Sequence, residues 1–280
     1  ADWERMDFSG YDFVHPDLVV SREAQPFLAA LHLKEPDLSD YVLKILIPRH
    51  YRAGGDPAER VGPEAWLRHF GMMFACYKEL LARNGAEAED FARSLGEAAI
   101  LSYAQGEFPE AFCLGRPDSI YFDDEDLKAY FAFDEETRFL WRRDYGALPD
   151  DPAFEGFLER IGVRREPRVR VSHKPPQGAP LGVGLRQAWE TPRIDGCEAM
   201  VGEILENEDE EGACLLWRLL LRVVEREGYA SAEEMEARLQ AQRITHRGPK
   251  EVREPFGSAD AKRLRESAWV PTRDGAFAKP

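Results

Sequence analysis

Apolar residues recur at three- and four-residue intervals along several stretches of the chain. From Pro63 to Arg83 the row Trp66, Phe70, Met73, Phe74, Tyr77 and Leu81 predicts an amphipathic helix with Pro63 in its first turn. Runs from Asp209 to Glu227 and from Ser231 to Gln242 read the same way, the second with a capping box of Ser231 and Glu234. "DLSDYVLKILIPRHY" predicts a helix capped near Asp37 or Ser39 and stopped by Pro48, and "DPAFEGFLERIGV" one that ends near Gly162. A shorter helix is expected over "REAQPFLAALHL", and the acidic "DDEDLKAYF" reads as a helix start.

Short β-capable runs mark the strands, "PRVRVSH" by its two-residue alternation. "AAILSY", "FPEAFCL", "SIYF", "RFLWRRDY" and "PRVRVSH" are β-capable, whereas "RAGGDPAERVG" and "KPPQGAPLGVG" read as loops on their turn residues. "DFSGYDFVHPDLVV" carries Pro16 and suits an edge strand or extended lead-in. The expected class is α+β, with helices packed among short antiparallel sheets and hairpins.

Two phrases of this pattern align without a gap. "EAAILSYAQGEF" (97–108) and "ESAWVPTRDGAF" (266–277) share Glu97/Glu266, Ala99/Ala268, Gly106/Gly275 and Phe108/Phe277, while Ile100 answers Trp269 in character. "FLAALHLKEP" (27–36) and "FLERIGVRREP" (157–167) form a second pair in the same order. The expectation is about one and a half copies of an α+β module, the first over 1–150 and the second, truncated, over 151–280. Gly106 and Gly275 would make the turns, and Phe108, Trp269 and Phe277 the packing.

These segments, with "SIYFDDEDL" and above all "LRESAWVPTRDGAFAKP", resemble parts of large proteins related to sacsin. In that family such modules lie downstream of a Bergerat-fold, chaperone-type ATPase. The resemblance implies a non-catalytic interior scaffold that couples the ATPase to partner binding or self-association, in bacterial defence or chaperone-type work. ATP and magnesium would then belong to an upstream domain, with no cofactor in this stretch. Expected partners are another protein, a second copy, or the chain's own ATPase domain. Both ends read as cut from a longer polypeptide.

Charge changes the picture in one respect. A formal net charge of −15, from 52 acids against 37 bases, disfavours generic nucleic-acid binding. The four cysteines, Cys76, Cys113, Cys197 and Cys214, form no C-x-x-C pair and read as small buried thiols in a reducing cytoplasm. The most apolar run, "CLLWRLLLRVV", is broken by Arg218 and Arg222, so no membrane span is expected.

Three patterns carry candidate chemistry. Asp118, Asp126 and Lys128, with Pro117, spell the PD-(D/E)-x-K signature of metal-dependent nucleases, which needs two carboxylates on one magnesium ion; against it, Asp126 and Lys128 fall at a helix start rather than on a strand. Glu203 and Asn207 mimic the Glu-x-x-x-Asn of a Bergerat ATPase, but "LGVGL" follows Pro180 and precedes them, the reverse of the required order. The six histidines show no H-x-x-x-H or H-E-x-x-H spacing, so no metal site is expected. A basic stripe, Arg164, Arg165, Arg168, Arg170 and Lys174, stands against the acidic background. Alternation puts Arg168 and Arg170 on one strand face and Val169 and Val171 on the other, which would be buried. The stripe would pair with local acids or contact an anion, either nucleic-acid phosphate or a nucleotide on the ATPase domain.

Overall fold

The computed structural model describes residues 22–23, 25–30, 37–52, 54–105, 111–174, 187–247, 250–256, 259–272 and 276–279. In chain order the elements are α1 Gln25–Ala30, α2 Leu38–Tyr41, α3 Pro57–Val61, α4 Pro63–Arg83, α5 Gly85–Gly96, β1 Leu101–Gln105, β2 Leu114–Gly115, β3 Ile120–Tyr121, α6 Glu125–Tyr130, β4 Arg138–Leu140 and α7 Phe154–Ile161. They continue with β5 Val169–Ser172, β6 Gln187–Ile194, α8 Cys197–Asn207, α9 Glu210–Glu227, α10 Ala232–Arg238, β7 Ala241–Arg247, β8 Lys250–Phe256, α11 Ala259–Glu266, β9 Val270–Pro271 and β10 Phe277–Ala278. The fold is mixed α+β with antiparallel sheets. It divides into two compact units, one of Ala1–Ala104, Phe108–Ile120 and Leu140–Val163, the other of Gln105–Glu107, Tyr121–Phe139 and Arg164–Pro280.

The first unit is organised on α4. Its predicted apolar row is buried from Trp66 to Tyr77, but Leu81 is exposed and Leu80 takes the inward position. Edge-to-face and tilted rings link Trp66, Phe70 and Phe74 of α4 to Tyr145, Phe154 and Phe157 at centroid distances of 5.0–6.3 Å. Gly162 ends α7 at φ +118°, a left-handed cap, as the sequence predicts.

Two expectations fail here. The helix expected to stop at Pro48 runs past it: α2, capped reciprocally by Asp37 and Asp40, opens into π-helical segments Val42–Leu46 and Pro48–Arg52. A widened turn moves the carbonyl that a proline ring would strike and dispenses with its missing N–H. The segment read as a loop contains α3, with Asp56 accepting from Ala58 N and Pro57 opening the helix.

The second unit is built on the antiparallel sheet β5-β6-β7-β8, with α8, α9 and α10 inserted between β6 and β7. Its core gathers Tyr121, Leu127, Tyr130, Phe131, Met200, Ile204, Leu216, Leu219 and Trp269. The acidic run from Glu206 to Glu211 is mostly helical: Glu206 and Asn207 close α8, while Glu210 and Glu211 occupy the first turn of α9. The helix expected to reach Gln242 ends at Arg238, and Gln242 pairs with Glu190 in the sheet instead.

The two aligned phrases share their first half. A helix ends at Gly96, one residue before the first phrase, and at Glu266, the first residue of the second, and the following strand starts at Leu101 and at Val270, equivalent positions. The residues just before the strands, Ile100 and Trp269, are both buried. The return strands differ. Val270 pairs with Ala278, but Leu101 pairs with Gly115, which lies beyond the aligned phrase. Gly106, Phe108 and Gly275 lie outside the described residues, as do "KPPQGAPLGVG" for the most part and the end of "FLAALHLKEP".

Candidate interaction surface

Helix α9 presents three faces, and the sequence accounts for each. Leu216, Leu219, Leu220 and Val223 face the core. Arg218, Arg222 and Arg226 form a row at four-residue spacing. Cys214, Trp217 and Leu221 form a third row, exposed to solvent, with Trp217 at 49% and Leu221 at 48% of their full surface. An apolar arc this wide exceeds the roughly 100° that core packing alone requires. The ring of Trp217 lies 5.8 Å from that of the buried Trp269, so the exposed row is braced from beneath.

The arginine row is consumed internally. Arg222 donates to Asp126 at 2.7 Å and to the Arg165 carbonyl at 3.3 Å, Arg218 pairs with Asp126 at 3.3 Å, and Arg226 lies 3.9 Å from the buried Glu166. Two candidates for nuclease chemistry are thereby engaged. Asp126 is held by two guanidinium groups, and Lys128, on the same helix α6, pairs with Asp123. Asp118 belongs to the other unit, where it accepts from Arg116 at 2.9 Å. Glu203 and Asn207 bond to each other on α8.

The basic stripe is organised around Asp195. Arg170 Nε donates to the Asp195 carboxylate at 2.6 Å, Tyr121 Oη donates to it at 2.8 Å, and Tyr130 Oη donates to the Asp195 carbonyl at 3.0 Å. Arg168 lies over the Tyr121 ring at 4.6 Å, and Arg165 over Phe122 at 4.0 Å. Burial lowers the Arg168 pKa, while burial and the Asp195 charge raise that of Tyr121. Arg164 pairs with Glu166 at 3.3 Å, and Lys174 is exposed at the edge of the described stretch. The opposite face departs from expectation: Val169 packs on the core, but Val171 is 53% exposed because the core ends before it along this edge strand.

Sequence reasoning missed the exposed row on α9, although its spacing was legible as a second arc in "CLLWRLLLRVV". It also expected buried cysteines: Cys76 and Cys197 are buried, Cys113 is half-buried, and Cys214 is exposed.

Histidines far apart in sequence meet in the first unit. Tyr51 Oη and His69 Nδ1 share a hydrogen bond of 2.9 Å, and the rings of His50 and His69 are 5.1 Å apart. Burial, then the His50 and Arg68 charges, depress the His69 pKa to about 4. A folded pKa below the ordinary value means that the unfolded chain takes up the proton first. Stability is therefore retained above about pH 6.5 and lost as pH falls toward 4. With a discount for solvent screening, the wild type is expected to lose roughly 2 kcal/mol more over that interval than His69→Gln, measured by urea unfolding at stepped pH.

The fold and this surface define a mixed α+β protein with antiparallel sheets and a helix that exposes an apolar row. No family model, curated protein or solved structure matches the chain. Among the described residues no three metal-ligating side chains gather, and no helix is long and apolar enough to cross a membrane.

Proposed function

We propose that the chain is an interaction scaffold, an interior coupling region of a larger sacsin-like ATPase that works through contacts with protein. One observation carries this reading: α9 holds Trp217 and Leu221 half in solvent while the flanking arginines are bound to Asp126 and Glu166. Exposed apolar rows beside settled charge are typical of surfaces that another protein covers. Tryptophan is enriched among the residues that dominate such contacts. The helix-end and first-strand likeness of the two aligned phrases fits a duplicated module as the rigid support. The chain's acidic surface favours protein over nucleic acid as the partner.

Self-association tests the reading most directly. Sedimentation velocity is expected to show concentration-dependent association that Trp217→Asp combined with Leu221→Asp abolishes, with an unchanged far-UV circular dichroism spectrum. Association that survives both substitutions, or a chain that stays monomeric while Trp217 resists a soluble quencher, would argue against this surface.

A further inference from the structure

A cavity of about 420 Å³ opens within the first unit, between α4 and the chain that follows β4. Sites that hold small molecules have volumes of about 300–1,000 Å³. Helix α4 supplies Leu67, Gly71, Phe74, Ala75 and Lys78, whose spacing puts them on one face over three turns. Tyr145, Leu148 and Asp151 stand opposite. The floor is apolar and offers no hydrogen bond: Phe74 and Tyr145 are buried, and the Tyr145 hydroxyl is committed to the Ser102 carbonyl at 3.3 Å. Polar groups gather at the rim, where the side chains of Lys78 and Asp151 are 43% and 29% exposed. Lys78 Nζ donates to the Asp151 carboxylate at 2.6 Å and lies 4.9 Å from the Phe74 ring centroid. Asp151 also accepts from Ala153 N at 2.9 Å, and the two bonds hold its carboxyl below the usual carboxylate range.

We infer that this cavity binds a small uncharged compound with an apolar body, about the size of two fused rings, and a single hydroxyl group. The apolar floor selects the body, and the rim selects the hydroxyl. A carboxylate brought to Lys78 meets the negative charge of Asp151, and an ammonium brought to Asp151 meets Lys78, so a charged headgroup loses at one partner what it gains at the other. A hydroxyl suits both. It donates to the Asp151 carboxylate and accepts from Lys78, whose ammonium has three donors and spends one on Asp151. The surplus of acids, 52 against 37 bases, further disfavours an anionic ligand. Gly71 leaves room for the body: a Cβ there would meet nothing within 4 Å, although glycine weakens a helix interior and no neighbour requires it.

The test is an NMR titration of the whole chain at pH 7, followed through its backbone amides, with 2-naphthol as the probe and 2-naphthoate as its charged counterpart. Expected with 2-naphthol are saturable shifts centred on residues 67–78 and 145–151, and an affinity about tenfold higher than that of 2-naphthoate. Gly71→Leu puts a side chain into the cavity and should abolish binding, with the far-UV circular dichroism spectrum unchanged. Shifts that fail to saturate, or that centre on the exposed Trp217 of α9, would overturn the assignment. So would equal or tighter binding of 2-naphthoate, or wild-type affinity in Gly71→Leu. The comparison of the two probes needs only the wild type and stands whether or not the variant folds.

Discussion

Trp66→Ala is expected to destabilise the protein by about 4–6 kcal/mol. The side chain is wholly buried, with ring centroids 5.6 Å from Phe70, 5.4 Å from Phe112 and 5.0 Å from Tyr145. Truncating a buried tryptophan removes apolar burial and leaves a cavity, together worth roughly 3–5 kcal/mol. The indole Nε1 also donates to the Ile100 carbonyl at 2.7 Å, a bond that anchors the chain just before β1. Trp66→Phe keeps most of the ring and loses that bond, so its cost should fall to about 1–3 kcal/mol. Guanidinium unfolding followed by far-UV circular dichroism separates the two. Equal midpoints for the variants would mean that the hydrogen bond, rather than ring packing, holds this junction.

Trp66 also shows what the sequence makes legible. Its helix announces itself through a long three- and four-residue period, and α9 does the same, because burial of one face dictates that spacing. The π-helical continuation through Pro48 is not legible: a proline ordinarily ends a helix, and only the packing of Ile45, Leu46, Ile47 and Tyr51 into the core sustains the wider turn.

Strand β6 was hidden for a related reason. "QAWETPRI" has few apolar residues and contains Pro192, which cannot donate to a neighbour. In the fold β6 divides its pairing, with Gln187–Glu190 against β7 and Thr191–Ile194 against β5. Pro192 falls in the half that pairs with the edge strand, opposite Val171, where a missing N–H is tolerated. Local sequence offers no sign of such a division. The charged candidates were legible as residue types but not as partners: Asp195, which organises Arg170 and Tyr121, stood in no motif, and its role arises only when β6 pairs with β5. The meeting of His50 with His69 is equally a product of tertiary contact, since no short spacing joins them.

Next to Asp195, Gly196→Ala is expected to cost about 2–4 kcal/mol. Gly196 sits at φ +75°, a left-handed conformation that disfavours any side chain, and it precedes Cys197 at the start of α8. A Cβ there would stand 2.7 Å from a Tyr130 ring carbon and 2.8 Å from one of Phe131. Both rings are buried in the core of their unit, and Tyr130 is further fixed by its bond to the Asp195 carbonyl, so neither can yield cheaply. Strain at the backbone and overpacking in the core therefore act at one position, and the disturbance should reach the Tyr121–Asp195–Arg170 network. Hydrogen exchange offers the discriminating measurement: amides of α6 and α8 should lose protection in Gly196→Ala, whereas Gly202→Ala, whose Cβ meets nothing within 4 Å on the same helix, should leave them protected. If the two variants behave alike, close packing of Tyr130 and Phe131 against the turn is not what fixes the start of α8.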